Sequence, residues 1–169
     1  MTLYIYGEAH FQPESVKFIH EEIERIRPHV LVHELLNDAV LSYRDVKAQL
    51  AKCDGSDWCD PDVNRDVFQL AAKLKIPLIG CDLSHAQLEA NKAFPLAEQF
   101  AQREKRMLEV MRIVPNTRFA RVVVVVGDIH LRTKPNKDLG EPSVIAQAIK
   151  NKSLKADVVR CRPEWREAE

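Results

Sequence analysis

The sequence predicts an α/β fold, one domain over residues 1–169 built on a single, mainly parallel β-sheet with helices on both faces. Three observations predict it. Short apolar, β-branched runs alternate with amphipathic stretches along the whole chain. The first strand, helix and second strand have the lengths of a βαβ crossover, which is nearly always parallel and right-handed. Two of the apolar runs, ending at Tyr6 and Val126, break into the same pattern, Gly7-Glu8-Ala9-His10 and Gly127-Asp128-Ile129-His130.

The first strand starts at Leu3, and the glycine that closes it supplies a backbone free to turn sharply. Pro13 suits a first helical turn, and Val16, Ile19, Ile23 and Ile26 then recur along one helix face. Glu14, Glu21, Glu22 and Glu24 are placed toward the positive end of the helix dipole, and Arg25 and Arg27 close the helix before Pro28. Residues 29–36 form the second strand, apolar until His33 and Glu34. Val40, Leu41, Tyr43, Val46 and Leu50 suggest a second helix, with Asp38 as its cap, ending near Cys53.

Residues 54–61 read as an excursion or flexible loop in which Trp58 packs against the body or lines a pocket. Val63, Val67, Leu70, Ala71 and Leu74 make the next helix face, and residues 76–80 a third strand, with Pro77 tolerable near its start. Asp82 stands at the end of that strand. Residues 84–114 are helical in composition and divided by Pro95; the cluster Arg103-Glu104-Lys105-Arg106 reads as a solvated face. After the second Gly-x-x-His come a polar loop (132–140), a short helix (142–150), an edge strand (156–161) and a fraying tail from Pro163.

The composition narrows the function classes. Lys+Arg 25 against Asp+Glu 25 gives no net charge, and no basic tract of the kind that follows nucleic acid is present. No run reaches membrane-spanning length and no signal peptide is evident, so a cytoplasmic protein without a membrane partner is expected. Cys53, Cys59, Cys81 and Cys161 form no Cys-x-x-Cys pair, so reduced thiols are expected, with a bridge between Cys53 and Cys59 as the alternative. Oligomeric state is not legible.

The residues just beyond each strand carry the chemistry: Glu8 and His10, His33 and Glu34, Asp82, Asp128 and His130. Strand carboxyl ends are where open α/β sheets bind ligands. His10, Glu34 and His130 would make three protein ligands with one position vacant, the pattern of a divalent metal that acidifies water for hydrolysis. Glu8 or Asp82 could orient or deprotonate that water, and a cation from the Arg103 helix could stabilise the developing oxyanion. A metal-free version uses one histidine as general base held by Glu34. As residues of solvent-facing loops, both histidines are expected to add little to stability. His20 and His85 read as ordinary surface or packing residues.

The stretches from Gly7 to Val16 and from Arg27 to Leu35 resemble the opening of the TraB and Tiki group, whose superfamily includes ChaN-like haem-binding proteins and erythromycin esterases. Arg103-Glu104-Lys105-Arg106-Met107 is similar to the group's Arg-x-x-x-Met helix, and Gly127-Asp128-Ile129-His130 to its second Gly-x-x-His. The resemblance implies a site of His10, Glu34, Arg103 and His130 and hydrolysis of a peptide, ester or other small-molecule substrate. It implies as cofactor a divalent metal of the manganese, cobalt or zinc type, or haem in a non-catalytic binding module. Glu8 follows the ChaN-like spelling, and the membrane segments common in TraB and Tiki proteins are absent. Val126 to His130 also looks like the first metal motif of calcineurin-like phosphoesterases, but no histidine follows His130 to complete that set. No Gly-x-Gly-x-x-Gly supports a dinucleotide site.

Overall fold

The computed structural model describes residues 2–9, 12–53, 64–116 and 119–161. Six strands, β1 (Thr2–Glu8), β2 (Val30–His33), β3 (Val40–Leu41), β4 (Leu78–Gly80), β5 (Arg121–Gly127) and β6 (Asp157–Val159), form one sheet in the order β3-β4-β2-β5-β1-β6. Every pairing is parallel except that of β3 with β4. The expected α/β architecture is therefore present. The two Gly-x-x-His strands are neighbours, with Gly7 opposite Val126 and Glu8 opposite Gly127.

The helices are α1 (Pro13–Ile26), α2 (Tyr43–Cys53), α3 (Asn64–Leu74), α4 (His85–Asn91), α5 (Leu96–Ile113) and α6 (Val144–Lys150). They divide between the faces of the sheet, giving two cores. Ile19 and Ile23 of α1, Val46 of α2 and Leu70 of α3 pack with Leu31, Val123 and Val125. Met107 and Met111 of α5 and Ile145 of α6 pack with Ile5, Val32, Val122 and Val124. The valines of β5 thus alternate between the two cores and are all buried, which is why this strand shows no polar alternation in its sequence. Among the described residues, no helix is long and apolar enough to cross a membrane.

Several boundaries differ from the sequence reading. Val40 and Leu41 are a short antiparallel edge strand rather than the start of a helix. Asn37 adopts a positive φ of 50° that turns the chain back along β4, where Gly80 N–H donates to the Ala39 carbonyl at 2.6 Å. The cap of α2 is Ser42, not Asp38: its hydroxyl accepts from Asp45 N–H while Asp45 accepts from Ser42 N–H, a reciprocal pair that starts the helix at Tyr43. In α1 only Glu14 lies in the first turn. Glu22 and Glu24 instead pair with Arg25 and Lys73. The expected loop with Trp58, the Cys59 partner of Cys53, and the tail from Pro163 lie outside the described residues.

Gly7 and Gly127 still belong to their strands and do not turn the chain sharply. What Gly7 provides is room, because a Cβ there would collide with the Asp128 carboxylate. Gly80 does the same for the turn after β2: a Cβ would meet the Leu36 carbonyl oxygen at 2.6 Å and overlap that of Asn37. That close approach seats the ends of β2 and β4 side by side.

Candidate functional site

The chain leaves β2 toward the β4 edge and leaves β5 toward β6, at the opposite edge. The two neighbouring strands therefore send their connections apart, which opens a crevice between their carboxyl ends, the position where sheets of this class bind ligands. Glu34 is delivered there by β2, as the first residue of a short 3-10 turn (Glu34–Leu36), and His130 by the 3-10 turn after β5 (Asp128–Leu131).

Glu34 is held from three directions. Its Oε2 accepts the Gly127 N–H at 2.5 Å, and its Oε1 accepts Arg103 Nη2 at 2.7 Å and faces His130 Nε2 at 3.2 Å. Arg103 reaches the crevice from α5 and is shared with Asp82, its Nε and Nη2 donating to Oδ2 at 2.9 and 2.5 Å. Glu34, Asp82, Arg103 and His130 are thus brought into one cluster.

Three further residues complete it. Glu104 Oε1 lies 3.3 Å from His130 Nδ1 and also accepts Arg132 Nη1 in a short charge-assisted contact. Phe100 stacks on the His130 ring with centroids 5.1 Å apart, and the Arg103 and Arg132 guanidinium groups stand over the same phenyl ring at 5.7 and 6.0 Å. The charged run on α5 is therefore not simply a solvated face: Glu104 is 1% exposed and Arg103 half-buried, while Lys105 faces solvent. A signal for Glu104 was present, since it falls four residues after Phe100 and three before the buried Met107, on the stripe that faces the sheet. Arg132 opens a stretch of exposed polar residues and carried no comparable signal.

The protonation of His130 follows from these contacts. Both ring nitrogens face carboxylate oxygens, and only an imidazolium can donate to both. Burial pulls its pKa down, but the hydrogen bonds to Glu104 and Glu34 outweigh burial and the net shift is upward. With His130 charged, the carboxylates of Glu34, Asp82 and Glu104 balance Arg103, Arg132 and His130 in formal charge. An imidazolium has no lone pair for a metal or for a proton. His130 is also 1% exposed, so the expectation that it would be a solvent-facing loop residue of little structural weight is corrected.

Arg103 is where the cluster meets solvent. Its side chain is 23% exposed, and among the described residues Nη1 takes part in none of its hydrogen bonds.

The other predicted residues fall elsewhere. His10 lies outside the described residues, so the expected approach of His10 to His130 does too. Among the described residues no group of three His, Cys, Asp or Glu side chains is placed to hold a metal ion. Glu8 is buried on the α1 side of the sheet, at a cavity of about 800 Å³ that His33 also lines. His33 Nδ1 accepts the Leu35 N–H, which caps the turn that carries Glu34. Asp128 points away from the crevice and ties down the chain after β6, accepting Arg160 Nε at 2.6 Å, Arg160 Nη2 at 2.7 Å and Cys161 N–H at 2.9 Å.

No family model and no curated protein matches the sequence. A solved structure described as "Bacterial protein toxins" shares the fold, with a TM-score of 0.55 and 13% identity over 96% of this chain. This chain spans about a third of that one, 34% of its length.

Proposed function

We propose that this chain is a hydrolase that cleaves an ester or peptide bond at the mouth of the crevice between β2 and β5. The observation that carries the reading is the meeting of Glu34, Asp82, Arg103 and His130, from four separate parts of the sequence, at one strand-end crevice. In this mechanism the outward Nη1 of Arg103 stabilises the oxyanion that develops on the attacked carbonyl, with Asp82 and Glu34 holding the guanidinium in place. His130 keeps Glu34 oriented and supplies positive charge behind it. Asp82 is committed to Arg103 and Glu8 lies on the opposite, α1 side of the sheet, so the general base assigned here is His10. The role of His10 follows from the resemblance to the TraB and Tiki group, which the order and spacing of the four motifs support. The cytoplasm is the compartment proposed, consistent with the buried free thiol of Cys81.

A divalent metal fits the described residues poorly, because His130 spends both nitrogens on carboxylates; no step above uses one. The test is turnover of nitrophenyl esters and fluorogenic peptides by the purified protein, with chelator and with added manganese, cobalt or zinc. Activity that survives chelation and falls about 10²–10³-fold in Arg103→Ala is expected. No turnover on any member of the panel, or an unaffected Arg103→Ala variant, rejects the reading, whereas activity restored only by metal returns the mechanism to an ion at His10, Glu34 and His130.

A second reading, a binding module for haem or another small ligand, is favoured by the size of the cavity beside Glu8 relative to the closed, internally neutralised cluster. A visible absorption band on titrating haem, without turnover, would select it.

A further inference from the structure

The cavity on the α1 side is a different space from the Arg103 cluster. It lies between α1 and α3 at the ends of β1 and β2, and its volume of about 800 Å³ is within the range of small-molecule sites. Its apolar surface comes from Val16, Leu35, Val67 and Leu70. Its charged surface is predominantly acidic: Glu8, Glu21, Glu24 and Asp66 against Lys17 and Lys73. Lys73 is already neutralised by Glu24, at 2.5 Å.

His20, a half-buried residue of α1 that the sequence reading set aside, is among its lining residues. Burial lowers its pKa, and Glu8, Asp66 and Glu24 act against that shift. These carboxylates therefore act on an imidazole that burial holds toward its neutral form. Among the described residues they are not close enough together to hold a metal ion. Carboxylates spread around an apolar floor, too far apart for a compact ion, match an extended organic cation instead, with its charge among the acids and its hydrocarbon stem on the floor.

We propose that this cavity binds a primary amine or guanidinium on an apolar stem, such as a lysine or arginine side chain of the molecule to be cleaved. The inference rests on the hydrolase reading for the word substrate, but the binding site stands independently of turnover. Glu8, the last residue of β1, and Leu35, just beyond β2, place the cavity at the same carboxyl edge of the sheet as the Arg103 cluster, on its other face.

The probes are N-acetyl-arginine amide and its uncharged isostere N-acetyl-citrulline amide, titrated calorimetrically and followed by the ring resonances of His20. Tighter binding of the arginine compound by about tenfold or more is expected, with an upfield or downfield displacement of the His20 signals on saturation. Asp66→Asn, an exposed α3 residue outside the proposed catalytic groups, should weaken it by roughly threefold to fivefold without altering the thermal transition. Equal affinity for both compounds, no binding at millimolar concentration, or an Asp66→Asn variant that binds like the parent overturns the proposal. Measuring hydrolysis of the matching arginine and citrulline methyl esters separates the two readings. Equal turnover of both esters leaves the hydrolase and removes the cation site; arginine-selective binding without turnover of either does the reverse.

Discussion

At the scale of single residues, His130 is the piece on which the crevice cluster balances. Remove its charge and three carboxylates face two guanidinium groups within a buried space. His130→Ala is expected to cost about 3–5 kcal/mol at pH 5.5, because it leaves three buried carboxylates with only two guanidinium groups. The pH dependence has a definite sign. A histidine whose folded pKa is raised contributes its full stabilisation below the unfolded value of about 6.5 and loses it as pH rises through the folded value. The gap between parent and His130→Ala in urea unfolding should therefore narrow from about pH 6.5 upward. His20, whose folded pKa is lowered, has the opposite dependence, but it is common to both proteins and cancels in the difference. A gap that stays constant from pH 5.5 to 8.5 would contradict a charged His130.

At the scale of elements, the turn after β2 positions the site, and Gly80 is what lets it approach. Gly80→Ala would drive a methyl group into the Leu36 and Asn37 carbonyls, and a loss of about 1–3 kcal/mol is expected, read as a lowered thermal midpoint. An unchanged midpoint would mean that the turn has slack to give. This steric requirement was not legible in the sequence, where Gly80 looked only like the end of a strand. Elements whose periodicity was strong were legible: α1 from its isoleucines, β5 from its run of valines, the break at Pro95. Val40 and Leu41 were misread because two apolar residues before a helical pattern carry no period of their own, and only pairing with Ile79 and Leu78 makes them a strand. Glu34, Asp82 and His130 were legible as candidates because chemistry at strand ends can be read in one dimension, whereas Arg103, on α5, was picked out only through the resemblance to the Arg-x-x-x-Met helix. Glu104 and Arg132 were not, since a buried ion pair 28 residues apart in sequence looks like two surface charges until the helix face is fixed.

At the scale of the whole molecule, the order of the strands in the sheet departs from their order in the chain, and this has a consequence for how the protein is made. Among the described residues β1 pairs only with β5 and β6, so it must wait for residues 121–127 to be made before it has a neighbour. Until then β2 and β4 can form only one half of the sheet, with an unpaired edge, and such late, long-range closures slow folding and expose strands to association. A fragment ending at residue 116 should show no cooperative thermal transition, and separately produced residues 117–169 should restore one on mixing. A cooperative transition in the fragment alone would contradict this. β5 is thus the closing piece of the protein: it joins the two halves of the sheet and, through Gly127 and His130, fastens Glu34 in place. Synthesis cut short anywhere before it leaves β2 and β4 without the strand that closes the crevice, so such a copy holds none of the Glu34–His130 contact.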